Sequence, residues 1–314
     1  MPSNSEKWIE IKVTAPSELT DAISNFIIDQ GSLGIIEEET VVDAFDDDDE
    51  KREGKGEIRA YFPDDQTVSS KVNALRDYLK SLSEIFPGLD PPEIGTETIV
   101  DPDWGEQWKK YFKPLRISRD IVIKPTWERY APVGRDIVID IDPGMAFGTG
   151  QHPSTRMCIN AMEEIIPKDR SFEKWTALDV GTGTGILAIS AAKLGADRVV
   201  AVDIDLKAVE IAEKNAAINR VEERIEILNQ DVLTFQGRFN LIIANLTAST
   251  LIPLRSHLFG MLEPGGYLVL SGIIEKDAPM VEETFLRQEG VSSHQVLTEK
   301  EWVCFVLRKR REEP

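Results

Sequence analysis

Hydrophobic and polar positions change period several times in the first hundred residues. WIEIKVTAP alternates with period two, as a half-buried strand does. SELTDAISNFIIDQG follows with Leu19, Ile23, Phe26 and Ile27 on one helical face, behind Ser17 as a candidate N-cap. SLGIIEEE and IRAYFPD read as a second and a third strand. TVSSKVNALRDYLKSLSEIF carries Val72, Leu75, Leu79, Leu82 and Phe86 in one stripe, which predicts a second amphipathic helix, and PPEIGTETIV supplies a fourth strand. The order β-α-β-β-α-β predicts an α+β, ferredoxin-like domain over residues 1–100, an architecture that implies no chemistry by itself. Between its central strands, DAFDDDDEKREGKGE is too charged to bury apolar surface and reads as a loop.

From Asp101 the text becomes aromatic. DPDWGEQWKKYFKPLRI would place Trp104, Trp108, Tyr111 and Phe112 on one face of a short helix, a linker over residues 101–120. DIVIKPTW and DIVIDIDPGMAFG read as two short strands opening a third segment, residues 121–314. From Trp175 onward strands and helices alternate. TALDVG, RVVAVDID, RIEILNQD, FNLIIANL and GGYLVLSGI are the strands, separated by helical stretches such as GILAISAAKLGA, LKAVEIAEKNAAINR and STLIPLRSHLFGML, and EKDAPMVEETFLRQEG follows the fifth strand as a further helix. That alternation predicts a parallel sheet covered on both faces. The tail SSHQVLTEKEWVCFVLRKR breaks the rhythm, giving two strands joined by a tight turn. The expected fold is therefore α/β: a Rossmann-like, seven-stranded sheet with one antiparallel strand, preceded by the smaller α+β domain.

Composition narrows the function classes. A chain of 314 residues with 41% hydrophobic positions can build two cores. Its formal charge of −19 argues against general nucleic-acid binding, because phosphates are held by clustered Lys and Arg. Acidic charge suits a basic protein partner, and it also simply keeps an enzyme soluble. No run of eighteen apolar residues occurs, and MPSNSEKWIEIK lacks the basic-then-apolar order of a signal peptide, so no membrane association and a cytoplasmic location are expected. Cys158 and Cys304 are the only cysteines. Far apart in sequence and without CxxC spacing, they exclude a cysteine-based zinc site and read as small apolar residues; no metal is expected.

Two glycine-rich stretches carry the candidate chemistry. LDVGTGTGI joins a buried strand to a helix, so Gly181, Gly183 and Gly185 can bring backbone close to a ligand at the carboxyl edge of the sheet. A dinucleotide fingerprint is GxGxxG; here the third glycine comes one place early, and Asp179 stands two residues before the first. A carboxylate there disfavours a pyrophosphate and suits a cationic or amino-acid moiety. Asp203, twenty-two residues after Gly181, ends the next strand, where an acid accepts hydrogen bonds from ribose hydroxyls. Asp231 follows the third strand and suits either an adenine contact or a turn cap. Taken with the closing hairpin, these features point to a class I S-adenosylmethionine-dependent methyltransferase.

The other stretch, DPGMAFGTGQHPSTRMC, followed by LDVGTGTGILAISAAKLGA, VAVDID and LIIANL, closely resembles the PrmA family across essentially the whole chain. Those are bacterial methyltransferases of the large-subunit ribosomal protein L-eleven (L11). The resemblance implies S-adenosyl-L-methionine as cofactor, and methyl transfer to lysine ε-amino groups and the N-terminal α-amino group. It also implies recognition of the ribosomal protein by the first domain. Carried over residue by residue, it implies cofactor contacts at Thr155, Gly181, Asp203 and Asn245. After Asn245 this chain runs LTAST, where the family more often continues with an ILA type of segment.

On this reading Gly181 to Gly185 form a floor, and Gly144, Gly148 and Gly150 a segment able to fold over it, with Met145 and Phe147 as apolar cover. The alternative for that segment is a tight strand-to-helix connection. Methyl transfer to a neutral amine needs alignment and water exclusion but no covalent intermediate, so no dedicated nucleophile is expected. Asn245 and the backbone carbonyl of Leu246 are the candidates for holding the amine, by analogy with loops that other amino-methyltransferases place after the fourth strand. His152 is a helix-start residue or a general base. A monomer acting on L11 is expected. The rival readings are another protein lysine or small amine as substrate, an NAD-dependent oxidoreductase, and a non-catalytic binder of the ribosomal protein.

Overall fold

The chain begins as the hydrophobic pattern requires: the alternating stretch is a strand, β1 (Trp8–Pro16), and the 3.6-periodic stretch after it a helix, α1 (Ser17–Asp29). The computed structural model describes residues 8–30, 32, 35–39, 55–99, 112–142, 150, 152–166, 174–286 and 290–311. Between Lys113 and Pro114 these divide into two compact units.

The first unit continues with β2 (Ile35–Glu39), β3 (Lys55–Pro63), α2 (Val68–Ile85) and β4 (Glu93–Ile99). Its sheet runs β2-β3-β1-β4 with every neighbour antiparallel, the ferredoxin-like arrangement. Ile11, Val13, Ile58, Ala60 and Phe62 on one sheet face pack against Leu19, Ile23 and Ile27 of α1 and Leu75, Leu79 and Leu82 of α2. Ser17 is the first residue of α1 and not its cap; its carbonyl accepts from the Thr20 hydroxyl at 2.8 Å. Most of the acidic loop and of the aromatic connector, including Trp104, Trp108 and Tyr111, lies outside the described residues.

The second unit opens with a small sheet, β5 (Leu115–Arg116), β6 (Ile121–Lys124) and β7 (Ile137–Asp140). β5 adds to the two strands the sequence predicts, pairing antiparallel with β6, while β7 pairs parallel to β6. Asp136 pins the β6–β7 connection: its carboxylate accepts from the Tyr130 hydroxyl at 2.6 Å, the Val133 amide at 3.0 Å and Arg116 Nη2 at 2.7 Å. These three donors hold its pKa down at about 2.

Then follow α3 (Pro153–Ile165), β8 (Thr176–Val180), α4 (Ile186–Lys193), β9 (Arg198–Asp203), α5 (Leu206–Ile218), β10 (Ile225–Asn229) and β11 (Phe239–Asn245). The unit closes with α6 (Ala248–Met261), β12 (Leu262–Ile274), α7 (Ala278–Phe285), β13 (Val291–Glu299) and β14 (Trp302–Lys309). The stretch expected as one last helix starts as a separate 3-10 turn, Glu275–Asp277, before α7. The seven-stranded order is β10-β9-β8-β11-β12-β14-β13, and only β14 runs against its neighbours.

Alternation along the strands sorts side chains between two cores. Leu241 and Ile243 face α3, α4 and α5, while Ile242 and Ala244 face α6 and α7. α4 is buried from Ile186 to Ala192, which explains why GILAISAAK shows no polar face. Cys158 on α3 and Cys304 on β14 are both free and fully buried. Although distant in sequence, they are neighbours, and burial first, then the nearby Cys304, pushes the Cys158 thiol well up. Among the described residues no helix is long and apolar enough to cross a membrane.

Candidate active site

The sheet order reverses between β8 and β11: the chain moves outward through β9 and β10 on one side, and through β12 and the terminal hairpin on the other. In such sheets the crevice beyond the carboxyl ends of the strands, at the reversal, is where ligands bind. Strand register brings the ends of β8, β9 and β11 level with Ser271 of β12, pairing Val180 with Val202 and Ala244, and Asn245 with Ser271.

The loop after β8 is built from left-handed glycines. Gly181, Gly183 and Gly185 have φ of 72°, 54° and 80°, a region open to glycine and strained for other residues. The Gly181 and Thr182 amides donate to the Val202 carbonyl, and the Gly183 amide donates to Asp203 Oδ2 at 3.0 Å. Gly181 lies against Leu246, whose Cδ2 would stand 2.7 Å from an added Cβ. At Gly185 a Cβ would meet Ala212 Cβ at 3.1 Å and Cα at 3.2 Å. Position 185 is therefore held to glycine by the close approach of α5 as well as by its positive φ.

Asp179 is the most unusual group here. It is fully buried, with Oδ2 accepting from the Thr182 hydroxyl at 2.7 Å and the Ala188 amide at 3.1 Å. Oδ1 is buried with no hydrogen-bond partner. Burial pushes its pKa up to about 6; the two donors oppose that rise and the charge of Asp203 adds to it.

Asp203, half-buried, also accepts at Oδ1 from the Asp205 amide at 3.0 Å. Asp231 is exposed and caps a 3-10 turn through the Leu233 amide at 2.9 Å. Ile204, Leu206 and Leu233, within three residues of these two acids, are exposed apolar side chains that sequence reasoning missed. The signal was an apolar residue one to three places after each strand-end acid. Asn245 ends β11 with Nδ2 donating to Thr155 Oγ1 at 3.3 Å and Oδ1 buried without a partner, while the Leu246 amide donates to the Ser271 carbonyl.

The structure thus gathers Thr155, Gly181, Gly183, Asp203, Asn245 and Leu246 at one edge, with Asp231 in the turn after β10. Phe147, with Gly144, Met145 and Gly148, lies outside the described residues. His152 is the N-cap of α3: its Nδ1 accepts from the Ser154 amide at 3.2 Å, and its ring meets Trp302 edge-on at 4.6 Å. Among the described residues no cluster of three or more His, Cys, Asp or Glu could hold a metal.

The chain matches a known family over residues 7–310: ribosomal protein L11 methyltransferase (PrmA). The chain belongs to that family. A protein named ribosomal protein L11 methyltransferase from Pelobacter propionicus is 39% identical over 96% of this chain and 98% of its own length. A namesake from Geotalea uraniireducens is 37% identical with the same coverage. The crystal structure of a ribosomal protein L11 methylase from Lactobacillus delbrueckii subsp. bulgaricus covers 64% of this chain and all of its own, at 33% identity and a TM-score of 0.57. The second unit accordingly has the class I methyltransferase fold that the strand order and terminal hairpin describe.

Proposed function

We propose that the chain transfers methyl groups from S-adenosyl-L-methionine to the lysine ε-amino groups and N-terminal α-amino group of ribosomal protein L11. Membership of the family supports the reaction and the substrate. The observation that carries the chemistry is the pair of buried acceptors without partners, Asp179 Oδ1 and Asn245 Oδ1, at the switch-point edge. An orphaned acceptor is costly unless a donor arrives, and a cationic amino acid and an amine are such donors. The pyrophosphate of a nicotinamide dinucleotide would instead bring negative charge towards a buried carboxylate.

In this reading Gly181 and Gly183 supply the floor, Asp179 faces the cationic amino-acid end of the cofactor, and Asp203 takes the ribose hydroxyls. Asp231 and the exposed Ile204 flank the base, with Phe147 as a further contact. When bound, S-adenosyl-L-methionine supplies an electrophilic methyl group on a sulfonium. A free lysine, with pKa near ~10.4, is protonated at neutral pH, so the site must favour the neutral amine before attack. Asn245 Oδ1 and the Leu246 carbonyl accept its N–H groups and aim the lone pair. The enzyme acts as a monomer in the cytoplasm, without direct nucleic-acid contact, in keeping with its charge of −19.

The test is intact and peptide mass spectrometry of purified L11 after incubation with the full chain and cofactor. Mass gains in whole methyl increments, mapped to lysines and the N-terminus, are expected. Unchanged L11 beside another labelled protein in a cell extract would move the substrate elsewhere.

A further inference from the structure

Among the described residues, β13 is the last strand of the seven-stranded sheet and pairs on one side only, with β14. Its other side presents a row of backbone N–H and C=O groups, which proteins commonly guard with charge, proline or brevity. The remaining edges of the two larger sheets carry acids: Glu37, Glu38 and Glu39 on β2, Glu93 and Glu97 on β4, and Glu226 on β10. β13 is nine residues long and has no Lys, Arg, Asp, Glu or Pro from Val291 to Thr298. Its one acid, Glu299, is ion-paired with Arg156 of α3. Its bulge lies at the first residues, between Val291 and Ser293, so the rest of the edge is regular.

A groove runs along that edge. Register pairs Ser293 with Arg308, Gln295 with Val306 and Leu297 with Cys304, which places these three β13 side chains on the α3 side of the sheet. There Ala161 and Ile165 of α3, with Leu297 and Val306, floor a cavity of about 570 Å³. It occupies the place that the inward side chains of an eighth strand would fill. Arg308 and Arg311 close one end, both beside Gly265. Arg308 Nε donates to the Gly265 carbonyl at 3.2 Å, with its guanidinium 4.8 Å over the Tyr267 ring, and Arg311 Cγ would stand 3.0 Å from a Cβ added at Gly265. Glu164 is the one carboxylate among the described lining residues, so this end is positive in a chain of net charge −19. Tyr267 precedes Ser271 by four residues on β12, which sets the arginines about 13 Å below the catalytic edge.

We propose that β13 and this groove take up an extended peptide by strand addition, antiparallel to β13, with apolar side chains at alternate positions and Asp or Glu at its carboxyl end. β13 runs from the arginine end towards the catalytic edge, because Trp302 at the far side of its turn pairs with Ile274, three residues past Ser271. An antiparallel partner therefore delivers its carboxyl end to Arg308 and Arg311, where its acids and terminal carboxylate are complementary in charge. Main-chain hydrogen bonds supply the affinity, and the alternation of apolar side chains over Ile165 and Leu297 supplies the selectivity. The site is separate from the cofactor crevice and does not rest on the proposed substrate.

The probe is the peptide Thr-Val-Thr-Val-Thr-Val-Asp-Glu with fluorescein at its amino end and a free carboxyl end. Anisotropy with the full chain should give a Kd of about 10–100 µM. Arg311→Glu, at an exposed position, should weaken binding at least about tenfold, and Gln295→Glu, which adds a carboxylate to the groove at nearly constant shape, at least about threefold. With the parent chain, the reversed sequence with an amidated carboxyl end should bind at least about fivefold more weakly. In hydrogen exchange read by mass spectrometry, the stretch 291–299 should exchange at least about threefold more slowly with the probe bound. No saturable binding up to about 1 mM, equal binding of the reversed peptide, or binding that leaves exchange in β13 unchanged would overturn the proposal. Protection of β13 that grows with chain concentration in the absence of probe, together with a dimer in sedimentation, would give this edge to a second copy and overturn it too.

Discussion

A carboxylate buried as completely as Asp179 is an energetic liability that the apo protein carries for its ligand. Its pKa of about 6, against an ordinary value of 3.8, means the folded state holds a proton that the unfolded state has already released. Folding stability contributed by that proton is therefore present below about pH 4 and lost as pH rises through about 6. At about 1.4 kcal/mol per pH unit between the two values, the loss is about 3 kcal/mol at neutral pH. Asp179→Asn should raise the apo melting temperature at pH 7 by roughly a few degrees and flatten its dependence between pH 4 and 6, as calorimetry would show. The same substitution should weaken cofactor binding. In the parent, cofactor affinity should fall as pH drops through about 6, because a cationic ligand favours the carboxylate that acid removes. An affinity flat across pH 5 to 7 would remove Asp179 from the binding surface.

Asp203 tests the other carboxylate at the same scale. Its Oδ2 accepts from the Gly183 amide and its Oδ1 from the Asp205 amide, so it shapes the loop as well as offering acceptors. Asp203→Ala should lower cofactor affinity by about a hundredfold or more, with far-UV circular dichroism unchanged, since hydrogen bonds to a charged group are worth ~1.5–3 kcal/mol each and two or more are removed. Unchanged affinity in a titration would detach this acid from the ribose.

At the scale of elements, the glycine loop shows what a sequence can and cannot convey. GTGTG between a buried strand and an apolar helix is legible because left-handed backbone leaves a compositional mark. The reason for the third glycine is not legible, because it depends on α5 approaching from twenty residues downstream. Gly185→Ala should destabilise the chain by ~1–3 kcal/mol, through positive φ and the contact with Ala212, lowering the melting temperature by several degrees. Other features were hidden for the same reason. The neighbouring thiols of Cys158 and Cys304 meet only because α3 packs across β14. Glu163 is another such case, a buried helix acid that accepts from the Ser118 hydroxyl and the Asp120 amide to dock the β5–β6 turn. The succession of strands and helices and the closing hairpin, by contrast, were readable for most of the chain, because period-two and 3.6 patterns are written locally.

For the whole molecule, the two units have separate cores and separate sheets. Every described residue at the switch-point edge belongs to the second unit, and the described hydrogen bonds of the proposed cofactor floor lie within it. A fragment beginning at Pro114 keeps β5, β6 and β7 together with the seven-stranded sheet. It should bind S-adenosyl-L-methionine within about threefold of the full chain, as judged by calorimetry. A ferredoxin-like fold implies no chemistry by itself, and the first unit is proposed to recognise the ribosomal protein. The fragment should therefore lose methylation of folded L11 by at least about a hundredfold in kcat/KM, most of it in KM, because a docking surface contributes mainly ground-state binding. A short lysine peptide, which cannot use that surface, should be methylated equally poorly by fragment and full chain. If the fragment modifies folded L11 at the full-length rate, target recognition resides in the catalytic unit, and the first unit needs another role.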